Sequence, residues 1–404
     1  MSYGNPTLRF THRTARVTVI LTDYTEERMF VRLTGLSTEN GNPAVIAPYD
    51  KGGDTYTALV APQSVATGTA FITCAFTNGK VFVYKMQKAA EWKAGEEYTY
   101  TVSLAAAEDP GYTVSEDGKT YNVTSADGLL AWNEAVQKDM TLNCTLADNI
   151  DLTGKDWTPI GTSFGNSYTG TFDGNGKTIT GLTVTGSDRY TGLFGFIKGT
   201  VKNVVLTEIN ITSGTFVGGV AGWSFGGNIE NCSVSGSVSG SDVGGVVGYQ
   251  QGGSITGCSS SATVKGTQRA GGVAGATNSG ATLTACYATG DVTVENDGPN
   301  NACAGGVVGS NAYSTVIACY AAGNVSGTGS GTIHVGGVVG ENYATVTACY
   351  WSGLPDNDNG GATKVDGTTV TWQNAVDAMN TALQSAGSEW RYELTEALPT
   401  LKKQ

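Results

Sequence analysis

The chain has 404 residues, of which 58 are glycine, 40% apolar and 14% charged, and a formal net charge of −12. With a pI of about 4.6 and no Lys/Arg cluster, nucleic acid and anionic membranes are poor partner candidates. No stretch approaches the roughly 18 apolar residues of a membrane-spanning helix, so no transmembrane segment is expected.

Met1-Ser2-Tyr3 opens without a basic n-region or an apolar h-region. The chain then runs almost at once into a strand, Leu8 to Thr22, so a leader and first strands are expected upstream of this sequence. Residues 1–107 alternate as strands without a repeat. The segments at 16–21, 30–33, 56–60, 70–74, 80–84 and 98–102 are each rich in β-branched or aromatic residues. Turn clusters such as Glu39-Asn40-Gly41-Asn42-Pro43 and Thr77-Asn78-Gly79 separate them, and the pattern predicts a β-sandwich.

Leu8-Arg9-Phe10-Thr11-His12-Arg13-Thr14-Ala15-Arg16-Val17 resembles the strand opening of fimbrillin-like domains of Bacteroidales. Tyr56-Thr57-Ala58-Leu59-Val60-Ala61-Pro62-Gln63 and Ala94-Gly95-Glu96-Glu97-Tyr98-Thr99-Tyr100 resemble later strands of that domain. The family carries more strand material upstream, so the resemblance is to part of the domain. It implies a secreted protein at the cell surface or outer membrane, anchored by a lipid on its precursor, with fimbrial subunits among its partners.

Residues 108–123, with Glu108-Asp109-Pro110-Gly111, read as a linker. Thr124-Ser125-Ala126-Asp127 has a capping-box pattern and opens a helix through Leu129, Leu130, Trp132 and Val136. Such a helix would cover the first coil of a repeating region spanning residues 124–365. Gly218-Gly219-Val220-Ala221-Gly222 recurs at 244–248, 271–275, 305–309 and 336–340, and Gly192-Leu193-Phe194-Gly195 is an earlier copy. The closing glycines Gly195, Gly222, Gly248, Gly275, Gly309 and Gly340 are 27, 26, 27, 34 and 31 residues apart. A period in that range predicts a parallel β-solenoid. The glycines are expected both to supply positive φ at coil corners and to let backbones approach closely.

Cys232, Cys258, Cys286, Cys319 and Cys349 follow their closing glycines by 10, 10, 11, 10 and 9 residues. This places one cysteine per coil in a column. We read them as buried, reduced and packed as small hydrophobes, with inter-coil disulfides the alternative. Only His12 and His334 exist, and neither has zinc-ligand spacing, so no metal is expected. Ile229 and Ile255 should point inward, with Ser and Thr outward. Trp372, Ala375, Val376, Met379 and Leu383 fall at helical spacing, and residues 366–404 read as a C-terminal cap.

The Gly-Leu-Phe-Gly and Gly-Gly-Val-Val-Gly words resemble the GLUG motif. Asp156-Trp157-Thr158-Pro159-Ile160-Gly161 and Phe172-Asp173-Gly174-Asn175-Gly176-Lys177-Thr178-Ile179 are similar to the lead-in of such arrays. The motif occurs in bacterial surface proteins and in some IgA-specific metallopeptidases. Those peptidases catalyse with a separate domain carrying His-Glu-x-x-His, a sequence this chain lacks. The resemblance therefore implies architecture, and no catalytic residue or cofactor comes with it.

With two histidines in different domains, neither a Ser/His/Asp nor a Cys/His centre is expected. A polysaccharide lyase or hydrolase would use Asp151, Asp156 and Asp173 near Lys155 and Lys177, yet Asp173-Gly174-Asn175-Gly176 reads as turn chemistry. Asp356-Asn357-Asp358-Asn359-Gly360-Gly361 has a calcium-loop look, but an EF-hand needs Glu where Gly367 stands, so a solvated turn is expected.

The residues after the column cysteines should face outward: Ser233, Ser259, Tyr287, Tyr320 and Tyr350, the last followed by Trp351. Turns after the glycine words add Trp223, Tyr249, Tyr313 and Tyr343. Stacked rings could bind a host glycan, an extracellular-matrix or other surface protein. Alternatively the tyrosines pack under a loop. The expectation is a non-enzymatic adhesin, all-β, with a sandwich followed by a solenoid with short helices at both ends. The alternatives are the β-helix lyase or hydrolase, and a purely structural stalk, which a covered tyrosine column would favour.

Overall fold

Alternation along Ala15–Thr22 buries Ala15, Val17, Val19 and Leu21 and turns the residues between them outward. The computed structural model describes residues 13–25, 28–38, 43–77, 80–106, 110–115, 117–186, 188–212, 214–355, 358 and 360–404. The chain divides into two units, Met1–Asn122 and Val123–Gln404.

In the first unit all six predicted strands form, at Ala15–Thr22, Arg28–Leu33, Thr55–Val60, Ala70–Phe76, Val81–Lys85 and Glu97–Ser103. Ala15–Thr22 pairs antiparallel with Thr55–Val60 and parallel with Glu97–Ser103. Ala70–Phe76 lies between Arg28–Leu33 and Val81–Lys85 in a second sheet. Leu21, Leu33, Phe71 and Phe76 from these sheets share one core with Trp92 of a short strand, Ala90–Trp92. Trp92 Nε1 donates to the Tyr100 hydroxyl at 2.8 Å, which satisfies the indole inside it. The opening motif from Leu8 to His12, residues 39–42 of the first turn cluster and Asn78-Gly79 of the second lie outside the described residues.

Strands Tyr112–Val114 and Thr120–Val123 form where the sequence suggested a linker. Ser115 N donates to Thr120 O at 2.9 Å, and Val114 packs on Ala75 and Val81. Two short β-branched and aromatic runs on either side of an Asp117-Gly118 turn outweigh the Pro-Gly pair that precedes them.

The second unit is a β-solenoid of about seven turns, all of whose coil-to-coil pairings are parallel. One ladder runs through Asn143–Leu146, Thr171–Asp173, Thr200–Lys202, Asn228–Glu230, Ser254–Thr256, Thr282–Thr284 and Val308–Ile317 to Val339–Thr347. Its register stacks Cys144, Phe172, Val201, Ile229, Ile255, Leu283 and Val316 into one buried column. On the adjoining ladder Val238, Val264, Val292 and Val325 stack in the same way. Ile229 and Ile255 point inward as predicted.

Between the two ladders each coil turns a left-handed corner immediately before the cysteine column. The corner residues are Asn203, Asn231, Gly257, Ala285, Ala318 and Ala348, with φ of 55°, 51°, 65°, 55°, 51° and 48°. All eight cysteines are free and buried. Cys232 N, Cys286 N and Cys319 N donate to the sulfur of the next coil's cysteine at 3.4 Å, and burial pushes the Cys232, Cys258 and Cys319 thiols up. Val204 holds the same place one coil earlier, so the column accepts a small hydrophobe with or without sulfur.

The repeated glycines need correction on one of their two expected roles. None of Gly195, Gly222, Gly248, Gly275, Gly309 and Gly340 has a positive φ. They are glycine because of close approach: a β-carbon on Gly222 would lie 2.5 Å from Thr191 N, and one on Gly306 2.2 Å from Gly337 O.

Helix α1, Ala126–Val136, is capped by Ser125, whose hydroxyl accepts from Gly128 N at 3.1 Å. Its Trp132 meets Phe172, Tyr168 and Phe194 at centroid distances of 5.2, 6.2 and 6.5 Å, which closes the first coils. Helix α2, Trp372–Ser385, has a full capping box between Thr371 and Asn374. It is followed by a hairpin of Trp390–Glu393 and Thr400–Lys403.

Candidate functional site

Strand register stacks Ser233, Ser259, Tyr287, Tyr320 and Tyr350 on the outer side of successive coils. The Tyr287 and Tyr320 rings lie 4.9 Å apart and 1° from parallel, as the spacing of neighbouring strands requires. This outward column is nevertheless covered. Tyr320 is only 1% exposed: Trp372 and Tyr392 pack on its ring at 5.1 and 5.7 Å, and its hydroxyl donates to Pro399 O at 2.6 Å. Ala375, Val376, Met379 and Leu383 of α2 share a core with Ala285 and Ala318, while Tyr287 and Tyr350 pack half-buried at its margin. Burial raises the phenol pKa of Tyr320 and Tyr350.

The reading of this column as an open ligand platform is therefore corrected for Tyr320, and Tyr350 is engaged by the same cluster. An outward apolar column is the surface that the apolar face of an amphipathic helix needs. Trp351 faces inward instead, 4% exposed, with its indole N–H on Pro355 O at 2.9 Å. It continues the column of Ser260, Ala288 and Ala321 and fills the core of the last coil.

A trace of this docking is written in the corners. Where the surface is uncovered the left-handed residue is Asn203 or Asn231, and their amides bond to one another at 2.8 Å. Beneath α2 and the hairpin it is Gly257, Ala285 or Ala318. A β-carbon on Gly257 would meet the Trp390 ring at 2.3 Å.

The post-motif residues divide in two. Phe196, Trp223 and Tyr249 are in register, and Trp223 lies 6.0 Å from Phe196 and 4.4 Å from Tyr249. Tyr190 and Phe216 form a second stack beside them at 5.6 Å. Arg269 closes the row, 5.4 Å over Tyr249 and clamped on Asp242 by hydrogen bonds of 2.7 and 2.5 Å. Trp223 and Tyr249 are half-buried in this cluster. Tyr190, Phe196 and Phe216 went unnoticed in the sequence, although each stands one repeat-length from a partner in its stack.

Tyr313 and Tyr343 present their rings to solvent, at 78% and 67% exposure, on neighbouring coils. Glu341 accepts from the Tyr343 hydroxyl at 2.7 Å and raises its pKa. Tyr313 has φ of 52°, a left-handed conformation costing a side-chain-bearing residue about 1–2 kcal/mol.

Of the carboxylates proposed for lyase or hydrolase chemistry, Asp151 and Asp173 end strands and accept from the turns that follow them. Asp151 accepts from Thr153 N at 2.9 Å. Asp173 accepts from Asn175 N at 2.8 Å and Asn203 Nδ2 at 2.9 Å, with Lys202 Nζ at 3.2 Å. Partial burial works against ionisation of Asp173, but these partners hold its carboxyl below the usual range. Asp156 is exposed, and Lys155 pairs with Asp127 at 2.9 Å. Asp358, from the calcium-like run, accepts four backbone N–H groups, those of Val338, Val339, Gly360 and Ala362, at 3.0, 3.3, 2.8 and 3.0 Å. Asp356, Asn357 and Asn359 lie outside the described residues.

Comparison with known proteins agrees with both parts of the chain. Residues 1–124 match the family described as fimbrillin-like, and residues 213–239 and 239–265 match the GLUG motif. Halomucin of Haloquadratum walsbyi is 32% identical over 238 residues, which is 50% of this chain and 2% of the length of halomucin. Among solved structures, a provisionally assigned immunoglobulin A1 protease from Bacteroides ovatus superposes with a TM-score of 0.56 at 20% identity. That match covers 73% of this chain and 95% of the other, and at such identity it speaks to the fold alone. A structure described as IgA1 protease reaches a TM-score of 0.46 at 14% identity, covering 96% of this chain and 30% of its own. Among the described residues no helix is long and apolar enough to cross a membrane. The chain thus carries an N-terminal fimbrillin-like domain and GLUG motifs borne on a β-solenoid.

Proposed function

We propose that this chain is a non-enzymatic cell-surface adhesion protein whose solenoid presents an extended flank to glycan or protein ligands. The carrying observation is the pair Tyr313 and Tyr343: two exposed rings on consecutive coils, one kept in a left-handed backbone that favours glycine. The fimbrillin-like match and the likeness to halomucin support placement at the surface, with an outer-membrane lipid anchor on the precursor and fimbrial subunits as further partners. The engagement of Asp151 and Asp173 by backbone amides of the turns that follow them supports a role without catalysis.

The test is capture of the purified chain on arrays of glycans and host matrix proteins. Wild type should bind at least one ligand, and the Tyr313→Ala/Tyr343→Ala variant should lose that binding with an undiminished thermal melt. Equal capture by both proteins rejects the reading. Burial of Tyr320 favours a second one, a structural stalk, which predicts that wild type captures nothing.

A further inference from the structure

The tyrosine ladder stops abruptly, and a pocket of about 140 Å³ opens where it stops. One face of the Tyr287 ring is stacked on Tyr320. The other looks toward the preceding coil, whose residue in register is Ser259, with Ser233 one coil further. A serine leaves empty the volume that another tyrosine ring would fill. Trp390 and Leu401 of the C-terminal hairpin wall this space, and Asn231 lines its floor.

We propose that this pocket binds a single neutral pyranose ring, taken up as the missing rung of the ladder; this names a site and ligand class within the adhesive reading above. A pyranose has an apolar C–H face that suits the bare face of Tyr287 and the Trp390 wall, and hydroxyls on its edge. The hydroxyls of Ser233, Ser259 and Tyr287 have no protein partner among the described residues. Asn231 spends its amide N–H on Asn203, which leaves its carbonyl oxygen to accept. A flat aromatic side chain from a protein partner would leave these groups unsatisfied, whereas a sugar meets them. Net charge is not offered either: Lys403 beside the pocket is neutralised by Glu230 and Glu389 at 2.9 and 3.3 Å, so an anionic sugar gains nothing. Both the platform and the walls come from elements fixed by the α2 docking, so the site is preformed.

The experiment titrates the full chain with methyl β-galactoside, methyl α-mannoside, methyl α-fucoside and methyl N-acetyl-β-glucosaminide, by calorimetry and tryptophan fluorescence. A ligand this small should reach only a millimolar Kd. At least one glycoside should saturate. Ser259→Tyr, which supplies the absent ring, should weaken it by about tenfold or more while leaving the melting temperature no lower than that of wild type. Should that variant melt early, Ser259→Val, which removes the hydroxyl without filling the space, should also weaken binding. Failure of all four glycosides to saturate, unchanged affinity in both variants, or saturation by N-acetyltyrosine amide in their place overturns the proposal. Array capture that persists in Ser259→Tyr but is lost in Tyr313→Ala/Tyr343→Ala leaves the flank reading standing and removes the pocket.

Discussion

A β-carbon at Gly245 would lie 2.1 Å from Ser260 Oγ and 2.3 Å from Gly272 O. The second of these is backbone on the next coil and cannot swing aside. Gly245→Val should therefore cost at least about 1–3 kcal/mol by overpacking, read as a lower denaturation midpoint. Gly226 is the contrasting case, with φ of 69° and nothing within 4 Å of a built β-carbon. There the cost of alanine is conformational only, about 1 kcal/mol. Tyr313 runs the comparison in reverse: Tyr313→Gly should stabilise the fold by up to about 1 kcal/mol while abolishing whatever its ring binds. A melt unchanged or lowered in Tyr313→Gly would remove the argument from strain. The sequence displays that a β-carbon is missing at the repeated glycines, but not whether φ or space excludes it. That is why Gly222 and Gly306 are legible as structural while the reason for them is not.

The apolar stripe of α2 is plain from Trp372, Ala375, Val376, Met379 and Leu383, but the strip it covers is not. Tyr320 and Ala285 are brought to it only by the coil register, and nothing local in the sequence pairs a helix with a column distant along the chain. Tyr320→Ala should open a cavity between Trp372, Tyr392 and Ala318 and cost about 3–5 kcal/mol, the range for truncating a buried aromatic. The loss should fall on the C-terminal element, so limited proteolysis should cut the variant within 366–404 and spare the coils. Acid should loosen the same element. Asp366 accepts from the N–H groups of Thr368, Thr369 and Val370 at 2.7, 2.7 and 3.1 Å in the turn before α2, and these bonds, that of Thr368 foremost, hold its carboxyl down to about 2. A folded pKa below the unfolded value of about 3.9 means the contribution is complete above that pH and is lost as pH falls toward the folded value. Proteolytic release should accordingly rise between about pH 4 and pH 2, and Asp366→Asn should flatten that dependence.

Coils that touch only their neighbours should unravel from an end, and the way each end is closed then controls the stack. The repeated word has a fixed bonding pattern. Val246 N and Val247 N both donate to Val273 O, Val273 N and Ala274 N to Val307 O, and Val307 N and Val308 N to Val338 O. No further copy of the word follows the last one, and Val338 N and Val339 N turn to the Asp358 carboxylate, which also takes Gly360 N and Ala362 N. The aspartate run with the look of a cation loop supplies a substitute for the next coil's carbonyl, a role visible only once the array is known to end there. Asp358→Ala strands two corner amides and should cost about 1–3 kcal/mol. Asp358→Asn keeps one acceptor oxygen and should lose less. Hydrogen exchange separates this from general destabilisation: amides at 336–340 should speed up most, those at 305–309 less, and those at 244–248 hardly at all. Equal acceleration in all three words would mean that the solenoid opens as a single block, and that Asp358 does not act as the stop at its end.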